Sequence, residues 1–336
     1  MDSITHLALG ATLGEVMIGR RIGKKALVVG AAAQSLPDVD FLAAFWLSPS
    51  ENLIAHRGFT HSFLFAGIVS LLLALLADRW HRRQSVFFGT WWMFFALQLS
   101  VHLLIDGCNA YGVGWLEPFT LQRVSFNLLF VADPFFFLGV GAASVLLVFF
   151  KSDHPYRFRL ALIGLLVSLA YLLYAFTNKL RIEKIVAREI ARNGYLADQH
   201  FTTPTPLNSW LWYAVVKDGE GFRIGYRSVF DQAPEIDWTY FPKNDSLLAL
   251  VDDHEALQRL KRFSQGYYTI SFQNDTLTFN DLRFGQITGW HNPRAPFVFH
   301  YYLQHPDDNN LVIQRGRFAN WNSETTASLW SRIKGN

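Results

Sequence analysis

Histidine and aspartate recur at a few positions in the first half of a chain that is otherwise strongly apolar there. An ionisable residue at membrane depth is costly and is by default a functional hypothesis. Imidazole nitrogens and carboxylate oxygens together suit a divalent metal, most simply zinc, with manganese or another ion as alternatives. The candidate metal ligands are His6, Asp38, Asp40, His56, His61, His102, Asp106 and Asp133.

The spacing of these residues predicts a shared site of one to three ions. His102 and Asp106 are four residues apart, so on a helix they lie on one face and can bind one ion. Eight candidate ligands exceed one tetrahedral shell. Two ions that share a carboxylate, activate a water and hold a departing oxygen are a known hydrolytic arrangement. Asp40 or Asp106 would then be the general base if it is not itself a ligand.

Arg57 lies between two candidate ligands but has no lone pair for a metal. Its planar guanidinium matches a phosphate oxyanion, which makes it a candidate catalytic residue that binds the substrate. Thr60 and Ser62 are candidates for hydrogen bonds that orient the ligands. Structural interpretations stay open: Asp38 and Asp133 could form turns or helix caps, and His102 with Asp106 could be a hydrogen-bonded pair or a proton relay in a transporter.

The elements that carry these residues are predicted to be membrane helices. Of the whole chain, 51% is hydrophobic and only 17% is charged, which is typical of a membrane protein. A spanning helix needs roughly 20 apolar residues. About four firm spans are expected from stretches without Asp, Glu, Lys or Arg, and they are Ser62–Ala77, Gln84–Ile105, Pro134–Phe150 and Leu160–Asn178.

Two weaker apolar stretches, Ser3–Gly19 and Ala26–Pro37, predict two N-terminal helices that pack through small residues. No basic residue precedes the first, so it does not resemble a cleavable signal peptide. When all six stretches cross the membrane, ten Lys and Arg fall in one set of short loops and only Arg57 and Arg123 in the other. The basic set is expected in the cytoplasm, and every candidate ligand then lies at the outer end of the bundle.

The composition changes after the last span. We expect a membrane domain over 1–178, a connecting amphipathic helix over 179–193, and a small α+β extracytoplasmic domain over 194–336. Asp252–Phe263 is predicted to be a helix by its pattern. Alternating runs and turn signals predict strands over Trp210–Val216, Phe222–Ser228, Tyr267–Phe272, Thr276–Phe279, Phe297–Leu303 and Leu311–Phe318.

Charge and cysteine content exclude other classes. The net charge of +3 is too small to indicate a nucleic-acid partner. The single cysteine, Cys108, excludes an intramolecular disulfide and a cysteine-based zinc cluster. The sequence gives no indication of an oligomeric state.

The motifs resemble those of the membrane-bound metal-dependent hydrolases, often labelled LexA-regulated or inner-membrane hydrolases. The similarity covers about residues 1–180 and is most specific in His56-Arg57-Gly58-Phe59-Thr60-His61-Ser62. That family is distantly similar to zinc-dependent phospholipase C and P1-type nucleases, which are all-helical enzymes with His and Asp on zinc. The resemblance implies phosphoester hydrolysis at a metal site in a helical bundle, in the bacterial inner membrane.

The sequence as a whole therefore predicts a multi-pass membrane hydrolase of all-α architecture with a small α+β domain. The expected partners are the lipid bilayer and a lipid or lipid-linked phosphoester. Two alternatives remain: a metal-dependent amide or acyl hydrolase, and a non-enzymatic metal-binding transporter or scaffold. Polar residues gather toward one end of Gln84–Ile105, which favours an enzyme at the membrane interface over a transporter.

Overall fold

A computed structural model describes residues 1–80, 86–195, 199–273, 276–304, 309 and 321–335 of the 336-residue chain. The chain divides into two compact units. The first contains Met1–Leu42 and His56–Tyr174, and the second contains Ala43–Ala55 and Ala175–Asn336. All predicted site residues fall in the first unit.

Apolar helices form the first unit. A break in one of them separates α2 from a 3₁₀ helix, Pro37–Phe45, and a short 3₁₀ turn, Phe59–His61, precedes α4. The helices are α1 (Ser3–Ile22), α2 (Lys25–Ser35), α4 (Phe63–Trp80), α5 (Phe88–Asp106), α6 (Pro134–Phe149) and α7 (Arg157–Asn193), the last of which continues into the second unit.

Helices α1 and α2 approach each other so closely that only glycine fits at their contact. A Cβ atom on Gly10 would lie 2.4 Å from the Gly30 carbonyl oxygen, and a Cβ on Gly30 would lie 2.1 Å from the Gly10 carbonyl oxygen. Small residues permit such backbone contact between membrane helices. The predicted small-residue packing of the two N-terminal helices is therefore confirmed.

Three of the described helices are long and apolar enough to cross a membrane: α4, α5 and α7. The pair formed by α2 and the following 3₁₀ helix adds a fourth span if it is taken together, and it bends by 56° at its break. Proline lacks a backbone N–H, so Pro37 is a physical reason for the break. Helix α6 has 16 residues and is shorter than a full span, so four firm spans are not established.

A buried ion pair lies within the first unit, away from the His/Asp residues. Arg157 donates from Nε and Nη2 to the two carboxylate oxygens of Glu15, at 2.9 and 2.5 Å. Its Nη1 donates to the carbonyl oxygens of Leu147 and Phe150. Both charges are thus compensated within the protein, which a low-dielectric environment requires.

The second unit is an α+β fold with two antiparallel sheets, as the sequence predicts. Strands β1 to β4 form one sheet in sequential order, and β5 to β7 form the other. Helix α3 (Pro49–Ala55) packs on α8 (His254–Phe263), with Glu51 and Arg259 paired at 3.4 Å. The strands are β1 (His200–Pro204), β2 (Leu211–Asp218), β3 (Gly221–Ser228), β4 (Thr239–Pro242), β5 (Tyr268–Gln273), β6 (Thr276–Gln286) and β7 (Phe297–Tyr302); helix α9 spans Ser323–Ile333.

The core of the second unit lies between helix α7 and the sheets. Ile182 and Val186 of α7 pack on Trp212 of β2. Phe222 and Leu282 join β3 and β6 in a second cluster. These contacts explain the dense aromatic content of this part of the chain, because large apolar rings bury the most surface per residue.

Several predicted boundaries differ from the structure. The predicted connecting helix over 179–193 is continuous with the preceding span in the 37-residue helix α7. Strand β6 runs on to Gln286, well past the predicted end at Phe279. Strands β1 and β4 and helix α9 were not predicted from the sequence, and the predicted strand Leu311–Phe318 lies outside the described residues.

Candidate metal centre

Three helical elements bring four candidate ligands together at one end of the first unit. Asp38 follows Pro37 in the 3₁₀ helix, His61 ends the short 3₁₀ turn before α4, and His102 and Asp106 lie in the last turns of α5. One potential ligand atom from each residue lies within 4.8 Å of all the others. The side chains of His61, His102 and Asp106 are fully buried, and Asp38 is 21% exposed.

Five of the six distances between the four atoms lie between 3.1 and 3.7 Å, and the sixth, between Asp38 and Asp106, is within 4.8 Å. His61 Nε2 lies 3.1 Å from His102 Nε2, 3.3 Å from Asp106 Oδ2 and 3.5 Å from Asp38 Oδ1. His102 Nε2 lies 3.6 Å from Asp38 Oδ1 and 3.7 Å from Asp106 Oδ2. Around a tetrahedral zinc ion with bonds of about 2.0–2.1 Å, neighbouring ligand atoms lie about 3.3 Å apart. The spacing of these donors therefore fits one such ion.

Hydrogen bonds on the far side of each ring orient both histidines. His102 Nδ1 lies 2.5 Å from the Gln34 carbonyl oxygen, which can only accept, so Nδ1 carries the proton. His61 Nδ1 faces Asp40 Oδ2 at 3.3 Å and the Thr60 hydroxyl at 3.1 Å. In each neutral ring the Nε2 lone pair then points into the group, which is the usual arrangement of a metal-ligating histidine.

Two facing lone pairs cannot hydrogen bond to each other, so a proton or a cation must lie between the rings. Burial by itself would lower the pKa of His61, but hydrogen bonds with Asp106, Asp38 and Asp40 raise it to about 10. A proton shared with carboxylates is the simplest way to satisfy this group without metal. A divalent cation would displace that proton, and metal binding at such a site releases protons in general. The donor set thus fits a divalent metal.

Asp40 lies outside this group of four and orients its neighbours. Its Oδ2 accepts from the backbone N–H of Arg57 at 2.7 Å and from the Thr60 hydroxyl at 3.2 Å, and it faces His61. Its Oδ1 lies 3.0 Å from Nδ1 of His56. A carboxylate bonded to a ligating histidine fixes the orientation of that ring. The predicted Thr60 contact is present, whereas Ser62 accepts from the Phe65 N–H at the start of α4.

The candidate ligands His56 and His6 lie on either side of the group. The His56 side chain is 32% exposed and contacts Asp40. His6 is buried; its Nε2 lies 3.0 Å from Asp106 Oδ1, and its ring stacks on His102 at 3.9 Å between centroids. The amino group of Met1 contacts the same Asp106 oxygen. Asp106 therefore faces His6 through one oxygen and the group of four through the other, as a shared carboxylate would.

Arg57 is directed at protein groups and not at open space. Its side chain is only 4% exposed, and Nε lies 3.1 Å from Asp106 Oδ2. Nη1 donates to Asn109 Oδ1 at 2.8 Å, Nη2 donates to the Met1 carbonyl at 3.3 Å, and the guanidinium lies 4.8 Å from the centre of the Tyr111 ring. Because the guanidinium nitrogens face protein groups, this geometry does not favour the predicted role of Arg57 in binding a substrate phosphate.

Asp133 caps helix α6. Its Oδ1 accepts from the backbone N–H groups of Phe135 and Phe136, and its Oδ2 accepts from the Tyr171 hydroxyl at 2.9 Å. Burial raises the pKa of Asp133, although these hydrogen bonds oppose that shift. The structure thus gives this residue the capping role that the Asp-Pro sequence also allowed, and it does not join the group of four.

Sequence reasoning missed residues that support the centre. Asn109 accepts from Arg57 and also from the Tyr111 N–H at 3.0 Å. Arg123 donates from Nη2 to the His56 carbonyl oxygen at 2.8 Å. Asn109 stands three residues after Asp106 at the end of a span, and this position of a polar residue was the available signal. The Gln34 carbonyl is a backbone group and carries no sequence signal.

Apolar helices of spanning length and a buried His/Asp group at one end of them define a membrane protein with a candidate metal centre. The chain belongs to the YdjM inner membrane protein family, whose family model matches residues 1–182, more than half of the chain. This region coincides with the segment that the motifs single out. The localisation of the family confirms the prediction of an inner membrane protein.

Two curated proteins show the extent of the similarity. The inner membrane protein YbcI of Escherichia coli (strain K12) is 34% identical over 122 residues, which cover 36% of this chain and 69% of YbcI. YfhP of Bacillus subtilis (strain 168) is 26% identical over 194 residues, which cover 55% of this chain and 56% of YfhP. No solved structure matches. The family name states a location and no reaction, so hydrolysis and the resemblance to phospholipase C remain predictions.

Proposed function

We propose that the protein is a membrane-bound metal-dependent hydrolase that acts on a phosphoester of a lipid or lipid-linked substrate. The observation that carries the proposal is the compact group of potential ligand atoms from Asp38, His61, His102 and Asp106, all within 4.8 Å of one another. Both of its histidines are oriented by hydrogen bonds from outside the group, which favours a built metal site over a chance cluster. A divalent metal there would supply an activated water and polarise a phosphoryl oxygen.

His56 is the residue best placed to move a proton. Asp40 holds its Nδ1 at 3.0 Å, which leaves Nε2 available, and a third of the side chain is exposed. A histidine oriented by a carboxylate is the usual arrangement of a general acid or base. In this proposal His56 replaces Asp40 and Asp106 as the proton carrier, because Asp40 is occupied by its hydrogen bonds and Asp106 belongs to the group of four.

Arg57 acts in this proposal through Asp106. The guanidinium lies against a fully buried carboxylate, and it compensates that charge while Asn109 fixes its direction. An ion pair with further hydrogen bonds is how a buried charge is tolerated. Arg57 is therefore a positioning residue for one of the metal ligands.

The number of ions is proposed to be one, and a second ion beside Asp106 Oδ1 would have to displace the Met1 amino group or bind to it. The group of four accounts for one ion. His6 and Asp106 Oδ1 are the candidates for a second, and the His6 Nδ1 atom has no hydrogen-bond partner among the described residues.

The centre is proposed to face the extracytoplasmic side. Ten Lys and Arg in one set of short loops against two in the other support this orientation. The start of α1, the end of α5 and the start of α4 meet at the centre, and Asp2 bonds Val131 just before α6. A common depth for these helix ends agrees with the orientation inferred from charge.

A metal-binding scaffold is the second candidate function. Four protein donors around one position complete a tetrahedron, which is typical of structural sites, whereas catalytic sites keep a position open. Partial exposure of Asp38 at 21% makes it the ligand that could yield this position to a substrate or water.

The test combines metal analysis with a product screen on the full chain. Wild type, His102→Ala and the exposed-surface control His300→Ala are purified in one detergent and assayed for bound zinc and manganese and for phosphate and lipid products. We expect metal and turnover in wild type and in His300→Ala, and loss of both in His102→Ala. Metal without turnover on any phosphoester would refute phosphoester hydrolysis and favour the scaffold over it, and no metal in wild type would refute both.

A further inference from the structure

The loop Trp115–Phe126, which follows α5, exposes large apolar side chains to its surroundings. Phe119 is 81% exposed, Leu121 56%, Leu116 55% and Phe126 45%. Isolated apolar residues on a surface need no explanation, but four within twelve residues of one loop form a patch.

The charged residues of this loop point inward. Arg123 is only 7% exposed and donates to the carbonyl oxygens of His56 and Gly112. Glu117 is half-buried and folds against Gly114, where a Cβ atom would lie 2.7 Å from its carboxylate. A loop in water presents charges outward and apolar groups inward. This loop has the reverse polarity, which suits the bilayer interface, where apolar side chains reach the acyl chains while the backbone stays at the level of the headgroups.

Backbone hydrogen bonds fix the loop beside the metal centre. Phe63 donates to the Trp115 carbonyl at 2.9 Å, and Gly114 donates to the Arg57 carbonyl at 2.9 Å. The Trp115 indole donates to the Leu103 carbonyl at 3.1 Å, and Val113 pairs with Val124. Phe63, Arg57 and Leu103, to which the loop bonds, each lie within two residues of a site residue, so the loop is held beside the centre.

The apolar surface of the loop continues an existing lipid-facing surface. Helix α4 begins at Phe63, which bonds the loop, and exposes Phe63, Ile68 and Leu72 along its length. Phe59, two residues before His61, is 46% exposed beside the same anchor. A spanning helix exposes such residues to acyl chains. The occupant that this continuity indicates is the bilayer itself.

We infer that the Trp115–Phe126 loop lies at the interface of the lipid bilayer, with its apolar side chains in contact with acyl chains beside the rim of the metal centre. The inference concerns lipid contact and stands apart from hydrolysis. Together with the proposed function, on which this extension rests, it favours a substrate that reaches His56 from within the membrane and not from the aqueous phase.

Nitroxide accessibility in vesicles tests the inference without an activity assay. The full chain carries Cys108→Ala, because Cys108 is its single cysteine, together with Phe119→Cys. The labelled protein is placed in vesicles of phosphatidylethanolamine and phosphatidylglycerol. Collision with oxygen, which concentrates in lipid, is compared with collision with a water-soluble nickel chelate. Leu72→Cys on α4 is the lipid control, and Glu220→Cys in the β2–β3 turn is the water control.

We expect the oxygen-to-nickel ratio at residue 119 to lie well above that of residue 220 and to approach that of residue 72. A ratio equal to that of residue 220 would overturn the inference. Exclusion of both probes would overturn it as well and would indicate a protein partner on the loop. Leu121→Cys provides the same measurement if Phe119→Cys does not yield folded protein. Loss of hydrolysis, if it were found, would leave this result unchanged.

Discussion

The substitution Asp40→Asn separates a residue that orients metal ligands from a residue that binds the metal. The carboxylate accepts from Arg57 N–H and from Thr60, and it faces His61 Nδ1 and His56 Nδ1. Asparagine keeps one acceptor oxygen but places an NH₂ group where the second oxygen was. That NH₂ group then faces a histidine N–H, so a donor meets a donor in a largely buried place.

The expected decrease in zinc affinity can be worked out from the hydrogen bonds that Asp40→Asn removes. Hydrogen bonds to charged groups contribute about 1.5–3 kcal/mol each. Removing a carboxylate that orients a ligating histidine typically lowers metal affinity about 10–100-fold, which corresponds to about 1.4–2.7 kcal/mol. We therefore expect Asp40→Asn to bind zinc 10–100-fold more weakly and still reach full stoichiometry at high zinc. Thr60→Val removes only the hydroxyl beside Asp40, so it should lower zinc affinity less than Asp40→Asn does.

The assay is a zinc titration of detergent-purified protein in competition with a chelator of known affinity. His61→Ala gives the reference for a lost ligand, and Asp252→Asn at an exposed position controls for the loss of one negative charge. An unchanged affinity in Asp40→Asn would refute the orienting role. Abolished binding equal to that of His61→Ala would show that Asp40 is itself a ligand.

Three further perturbations test the account. Arg57→Lys keeps the charge but loses the contact geometry with Asp106 and Asn109, so hydrolysis of the substrate found in the product screen should fall at least about tenfold, or about 1.4 kcal/mol, with metal retained; full activity would contradict the positioning role. Glu15→Gln leaves the buried Arg157 charge uncompensated, so the free energy of unfolding, measured by thermal unfolding in detergent, should fall by about 3–5 kcal/mol. The control Glu220→Gln on the surface should change it by under about 0.5 kcal/mol. A reporter fused after Asn336 should be active outside the cytoplasm, and activity in the cytoplasm would reverse the proposed orientation.

Sequence patterns located the end of the bundle at which the candidate metal ligands gather. His61, His102 and Asp106 could be recognised because polar residues are costly in apolar segments and their helix positions follow from spacing. The choice between Asp38 and Asp40 could not be made from the sequence. Two carboxylates two residues apart point in directions that depend on whether the backbone is α-helical, 3₁₀ or extended, and here Pro37 starts a 3₁₀ helix.

Contacts between residues far apart in the sequence explain the other differences between the predicted and the observed structure. Ala43–Ala55 lies within the predicted membrane domain over 1–178, yet it belongs to the second unit, where α3 packs on α8 more than two hundred residues later. No local pattern reports such a contact. The edge strand β4 is only four residues long, too short for alternation to be recognised. The contacts of Arg57 with Asn109 and Tyr111 could not be predicted, because both partners come from a loop whose path the sequence does not specify.

X-ray absorption at the metal edge of the purified full-length chain tests the central claim most directly. The account predicts stoichiometric metal with two imidazole nitrogens and carboxylate oxygens in the first shell, at about 2.0–2.2 Å for zinc. In His102→Ala the imidazole contribution should halve or the metal should be lost. A metal bound without imidazole, or a chain that takes up no divalent metal at all, would contradict the assignment of Asp38, His61, His102 and Asp106 as a metal centre.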